Sequence, residues 1–193
     1  MMNRKKILST FGLAGLFLAL PKVANAKQME IKQFHFKDDG KIPNSKYPLL
    51  VYKNAFSERN SAGAKWLEDT FASNNWTNSW RNGIYDFHHY HSTSHEVLGV
   101  YSGEALVHLG GEQGEKVNIE AGDIVIIPAG VGHKNLGSTD LGIVGAYPDG
   151  RSWDINKGLA GERPAADKNI AALPIPEADP LSGKEMSESW TNA

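Results

Sequence analysis

Apolar residues fall in short bursts along most of this chain, and the spacing within each burst predicts strands. Between Gly83 and Tyr147 the bursts cover 84–91, 97–101, 105–109, 116–119, 123–127 and 142–147. Gly103, Gly110, Gly111, Gly114, Gly122, Gly130 and Gly137 punctuate them, where tight turns need backbone freedom. Upstream, 29–36 alternates apolar with polar residues before Asp38-Asp39-Gly40, and 49–52 is a second short apolar run. Residues 61–73 break the pattern. Trp66, Leu67 and Phe71 fall there at helical spacing, which predicts one amphipathic helix covering the outside of the sheet. Many short strands with glycine turns argue for a sandwich or barrel rather than a parallel α/β sheet. The expected fold is therefore all-β, a jelly-roll barrel with one covering helix. From Gly158 the alternation ends and Pro164, Pro174, Pro176 and Pro180 appear, predicting an extended tail over 158–193 that wraps the barrel or meets a second subunit. With no internal repeat, 27–193 reads as one domain with its core at 83–147.

Residues 1–26 stand apart from that domain. Asn3-Arg4-Lys5-Lys6 is a basic start, 7–20 carries no charge, and Ala24-Asn25-Ala26 is a small-x-small cleavage signal before Lys27. This is the pattern of a secretory signal peptide. Its apolar run of about 14 residues falls short of the roughly 20 that span a bilayer, so no stable membrane insertion is expected after cleavage. Arg4 is followed by Lys5 rather than a second arginine, which favours the general secretory route over twin-arginine export. The expected destination is the periplasm or the medium.

Charge and cysteine content then narrow the partners. Cleavage would remove Arg4, Lys5, Lys6 and Lys22 but no acidic residue, leaving 16 basic against 22 acidic side chains and a net charge of about −6. Such a chain repels nucleic-acid phosphates and anionic membranes, so a small molecule is the expected partner. There is no cysteine, which excludes disulfides, thiolate ligands and cysteine nucleophiles.

The chemistry lies in two blocks, Gly83-x5-His89-x-His91-x4-Glu96-x6-Gly103 and Gly122-x5-Pro128-x-Gly130-x2-His133. Residues two apart on a strand share a face, so His89 and His91 reach one ion together, with Tyr85 and Phe87 on the same side and His88 and Tyr90 opposite. Glu96 and His133 complete a set of three imidazoles and one carboxylate. Four such groups buried in an apolar barrel without a cation would carry a large desolvation cost. Nitrogen and oxygen donors without sulfur suit one divalent ion of Fe, Mn, Ni or Zn. A zinc-peptidase helix is excluded, because Gly99 stands where H-E-x-x-H needs its second histidine. His95 is expected to face away from the ion, and His35 and His108 to be structural. Trp76, Trp80, Arg81, Arg151 and Trp153 form a second set, for which packing or surface pairing competes with substrate contact. Arg81 and Trp80 are the substrate-binding candidates of that set, beside Tyr85 and Phe87.

Both blocks resemble the two signature motifs of the cupin superfamily, over roughly 83–136. The surrounding text, from Asn75-Trp76 to Asp149-Gly150, resembles small bacterial single-domain cupins of uncertain function. The resemblance implies a double-stranded β-helix with one metal held by His89, His91, Glu96 and His133, and a homodimer joined through barrel edges. In one departure, the family's asparagine four residues after the second-block histidine is replaced by Gly137, with Asn135 nearer. That bears on turn geometry and not on the metal. Precedents in the family include dioxygenases, which bind substrate beside O2 at Fe(II), and Lewis-acid isomerases, decarboxylases and hydrolases at Mn or Zn. Dioxygenation is the leading expectation, with Tyr85 as candidate general base. A non-catalytic binding protein for a metal or small molecule is the alternative, and a storage role has no use for an open metal site.

Overall fold

The computed structural model describes residues 28–191. The expected signal peptide lies outside them. Seven strands and three helices follow in order: β1 (Glu30–Phe34), β2 (Leu49–Lys53), α1 (Asn60–Ser73), β3 (Trp76–Asn82), β4 (Glu96–Leu109), β5 (Glu115–Glu120), β6 (Ile124–Ile127), β7 (His133–Pro148), α2 (Ala165–Ala172) and α3 (Met186–Thr191). All pairing is antiparallel, in the order β1-β2-β6-β4-β7-β3 with β5 also on β4.

Continuous apolar strands mark where the sheet is covered on both sides. Along β2, Leu49 and Val51 join one buried cluster with Leu98, Val100, Val125, Ile127 and Ile143, while Leu50 and Tyr52 join a second cluster with Leu67, Phe71, Trp76 and Val97. The first cluster is the barrel interior. The second lies under α1, whose Ala64, Leu67 and Phe71 recur every three or four residues and, with Gly63, are buried. Fully burying Leu67 contributes about 2 kcal/mol. Its side chain lies where a Cβ on Gly99 would stand, so glycine there lets the helix approach β4.

Three expectations need correction. Residues 84–91 are not a regular strand but a loop with isolated bridges, His89 to His133 and Tyr90 to Asn156. The expected strands at 97–101 and 105–109 are one strand, β4, bent by register shifts around Ser102. The tail is not merely extended. It contains α2, set between Pro164 and Pro174, and α3, which delivers Met186 and Trp190 to the cluster under α1. Proline there marks helix boundaries rather than absence of helix. Asp179 fixes the tail to the barrel: one carboxylate oxygen accepts from the Tyr52 hydroxyl at 2.6 Å, the other from the Leu181 and Ser182 amides at 2.9 and 2.7 Å.

Candidate metal centre

Three elements bring the donors together. The loop before β4 supplies His89 and His91, β4 begins with Glu96, and β7 begins with His133. Reciprocal backbone bonds, His89 N–H to His133 carbonyl at 3.2 Å and the reverse at 2.9 Å, hold two of these ligand candidates side by side. Glu96 shares the inner face of β4 with Leu98 and Val100, as period-two alternation requires. All four side chains are at most 4% exposed.

Hydrogen bonds on the far side of each ring decide which nitrogen faces inward. Nδ1 of His89 donates to the Phe87 carbonyl at 3.3 Å, Nδ1 of His133 to the Val131 carbonyl at 3.1 Å, and Nδ1 of His91 to the Asp154 carbonyl. Each Nε2 therefore carries the lone pair of a neutral ring. Glu96 Oε2 lies 3.4 Å from His91 Nε2 and 3.3 Å from His133 Nε2, yet it is buried without a hydrogen-bond partner. The ligand nitrogens of His89, His91 and His133 lie within 4.8 Å of one another, and Glu96 Oε2 stands close to two of them. Two ligands each about 2.1 Å from one cation stand at separations such as 3.3–3.4 Å, so three imidazoles with an adjacent carboxylate fit a divalent ion.

Charge is balanced within the set. Burial and the neighbouring rings of His133 and His91 push His89 down to about 2, so it stays neutral. Burial also works against charge on His91, but the Glu96 carboxylate outweighs it and the net direction is upward. For Glu96 burial works upward and is outweighed by His91 and His133, which keep its carboxyl well below the usual range.

Behind Glu96 runs a relay that sequence reasoning missed. Trp80 Nε1 donates to the Tyr147 hydroxyl at 2.8 Å, and that hydroxyl donates to Glu96 Oε1 at 2.9 Å. Trp80 is the register partner of Gly145, and its indole occupies the space a side chain at Gly145 would fill. Tyr147→Phe should lower stability by about 1–3 kcal/mol, since it strands a donor and an acceptor. It should also weaken metal affinity about tenfold, read by urea unfolding and equilibrium dialysis.

In front of the donors opens a cavity of about 430 Å³. Ile84, Leu98, Trp80, Tyr147 and Trp153 give it an apolar and aromatic wall, and Asn78, Ser79 and Asn82 a polar rim. Trp153 stacks on Tyr147 with ring centroids 5.7 Å apart and meets His91 edge-on at 5.2 Å.

Residues 82–141 match the Cupin domain family. The uncharacterized protein YjlB of Bacillus subtilis (strain 168) is 41% identical over 167 residues, taking in 84% of this chain and 98% of that relative. The chain belongs to the cupin superfamily. Among solved structures, an acireductone dioxygenase from Bacillus anthracis, with a cadmium ion in its active centre, is 19% identical at a TM-score of 0.33. The match covers 50% of this cupin and 60% of that chain. A DUF861 family protein from Thermotoga maritima is 24% identical at a TM-score of 0.29, over 47% of this cupin and 92% of that chain.

The remaining candidates take varied places in this cupin. Tyr85 is 45% exposed at the cavity mouth and stacks on Phe87, which contacts His89 but is not part of the cavity wall. Arg81 reaches the rim, but Glu68 of α1 holds its guanidinium through two bonds of 2.7 Å. Trp76 is core, with Nε1 donating to the Ala178 carbonyl, and Arg151 pairs with Asp149. His95 accepts from the Ala129 amide at 2.9 Å and donates to the Pro174 carbonyl at 3.2 Å, so it braces the tail from behind Glu96. Asn135 accepts from the Gly137 amide at 2.9 Å, closing the turn where the family motif departs. Asp154 is the other residue that sequence reasoning passed over. Its carboxylate accepts from Ser92 N and Oγ, both at 2.6 Å, and from Asn156 Nδ2 at 2.8 Å. Non-local contacts create that role, and nothing in the local text Ser152-Trp153-Asp154 signals it.

Proposed function

We propose that this chain is an exported mononuclear metal-dependent enzyme of the cupin superfamily, acting on an oxygen-bearing small molecule by dioxygenase-type chemistry. The buried, unpartnered Oε2 of Glu96 beside the Nε2 atoms of His91 and His133, which group with His89, carries the reading. His89, His91, His133 and Glu96 would hold one divalent ion of Fe, Mn, Ni or Zn. A bound Fe(II) would supply the site for O2 and substrate oxygen, and Mn or Zn would supply Lewis acidity for isomerisation or decarboxylation instead.

The chain's own residues supply the remaining functions. A cavity of about 430 Å³ takes a small molecule, and its aromatic wall keeps water from the donors. Burial and the Glu96 charge push the Tyr147 hydroxyl upward, so it keeps its proton and holds Oε1 in place. Tyr85, in the cavity lining, would be the candidate general base.

Elemental analysis of the untagged protein purified from its native compartment tests this. About one equivalent of metal is expected, with oxygen uptake on a diol, phenol or enol that stops on chelation and returns when the metal is restored. Absence of stoichiometric metal overturns the reading. Stoichiometric metal and stoichiometric ligand binding without turnover on redox or Lewis-acid substrates would make it a binding protein instead.

A further inference from the structure

His88 and His108, both read from sequence as standing outside the metal set, meet each other on the outer side of the barrel wall. His108 lies on β4 between Val107 and Leu109, which point into the interior cluster, so its own side chain points outward. His88 Nε2 is 3.3 Å from His108 Nδ1 and 3.4 Å from Glu112 Oε1, and the two rings are 4.8 Å apart. Glu112 stands on the Gly110-Gly111 turn that leads from β4 to β5.

Hydrogen bonding accounts poorly for this arrangement. A single proton between His88 Nε2 and His108 Nδ1 satisfies that pair and leaves the carboxylate, which only accepts, competing for it. The His88 side chain is only 10% exposed, so solvent does little to relieve that competition at Nε2. A cation drawing on Nε2, Nδ1 and Oε1 together uses all three lone pairs, whose separations match those of the interior donors.

We propose that His88, His108 and Glu112 form a second, exchangeable site for a cation of the Zn(II), Ni(II) or Cu(II) class on the outside of the barrel. Two imidazoles select such ions over Mg(II) and Ca(II), which require oxygen shells. Lys116 and Lys134, the cross-strand partners of His108, share its face and oppose positive charge there. Solvent screens that repulsion but keeps the site weaker than the interior one. Glu112, with a side chain 76% exposed, leaves the ion open to exchange. Occupancy would tie the loop carrying His89 and His91 to the β4–β5 turn.

Equilibrium dialysis of the untagged, metal-stripped protein against Zn(II), with elemental analysis, tests the site. The wild type should take up two equivalents, Glu112→Gln and Glu96→Gln one each, and the double variant none, with no uptake of Mg(II) at the outer site. Glu112→Gln should weaken the outer equivalent at least about tenfold. His108→Ala should do the same, and because Glu112 is exposed its variant stays informative even if His108→Ala unfolds. An outer equivalent bound as tightly in Glu112→Gln as in the wild type overturns the proposal, as does uptake of one equivalent that Glu96→Gln abolishes. Failure of the interior site would appear separately, as zinc uptake unchanged by Glu96→Gln.

Discussion

Glu96→Gln should leave the barrel folded and weaken binding of the interior cation by at least about a hundredfold. Loss of residues that merely orient ligands costs about 10–100-fold in affinity, and this change removes a ligand and the only negative charge in the set. Glutamine has the volume of glutamate, so the walls need not move. Its amide can also donate to the Nε2 of His91 or His133, which stand 3.4 and 3.3 Å from the present carboxylate oxygen. The metal-free variant thereby satisfies an acceptor that the wild type leaves open, and should unfold no earlier in urea. Dialysis with elemental analysis reads the affinity, and circular dichroism the fold. Undiminished metal binding in a folded variant would remove the four-donor assignment.

Asp154→Ala should cost about 3 kcal/mol or more of stability. The carboxylate gathers the Ser92 amide and hydroxyl, the Thr93 amide and the Asn156 side chain, and Ser92 is fully buried, so truncation leaves its donors unpaired. Because the Asp154 carbonyl also receives His91 Nδ1, slackening this segment should loosen the ligand ring and lower metal affinity about tenfold. Burial alone would raise this carboxyl. The hydrogen bonds from Ser92, Asn156 and Thr93 outweigh it and hold the group below its ordinary value. The folded-state value is thus the lower one, so the stabilisation is present above the unfolded value of about 3.9 and is lost as pH falls through the folded value. Urea unfolding of wild type and variant should show a constant gap from neutrality to about pH 4 and a narrowing gap below. A gap that stayed constant to pH 2 would mean the ionised carboxylate is not what holds the loop.

That His89 and His91 share a face was legible from spacing, and that Glu96 and His133 join them from the resemblance to the cupin motifs, although the loop that carries the first two is not the strand the spacing suggested. Alternation survived there because bridges on either side, to His133 and to Asn156, extend the backbone locally. β3 escaped notice for a different reason. Its polar text, Thr77-Asn78-Ser79, is interrupted by a bulge with Asn78 at a φ of 55°, and only pairing with β7 makes it a strand. α2 and α3 escaped because prolines near them suggested an extended tail. Tyr147 could have been found, since Ile143, Gly145 and Tyr147 share one strand face. His88 and His108 were assigned one at a time, and no reading of residues twenty positions apart would have placed them in contact.

The three main-chain carbonyls behind the ligand rings have a consequence for how this protein can diverge. Phe87, Val131 and Asp154 each offer an oxygen that belongs to the backbone, so no exchange of their side chains deletes it. The tautomers of His89, His133 and His91 are inherited with the chain path. Descendants can therefore trade Ile84, Trp80 or Trp153 for other residues, altering what the cavity admits, while the inward nitrogens keep their orientation.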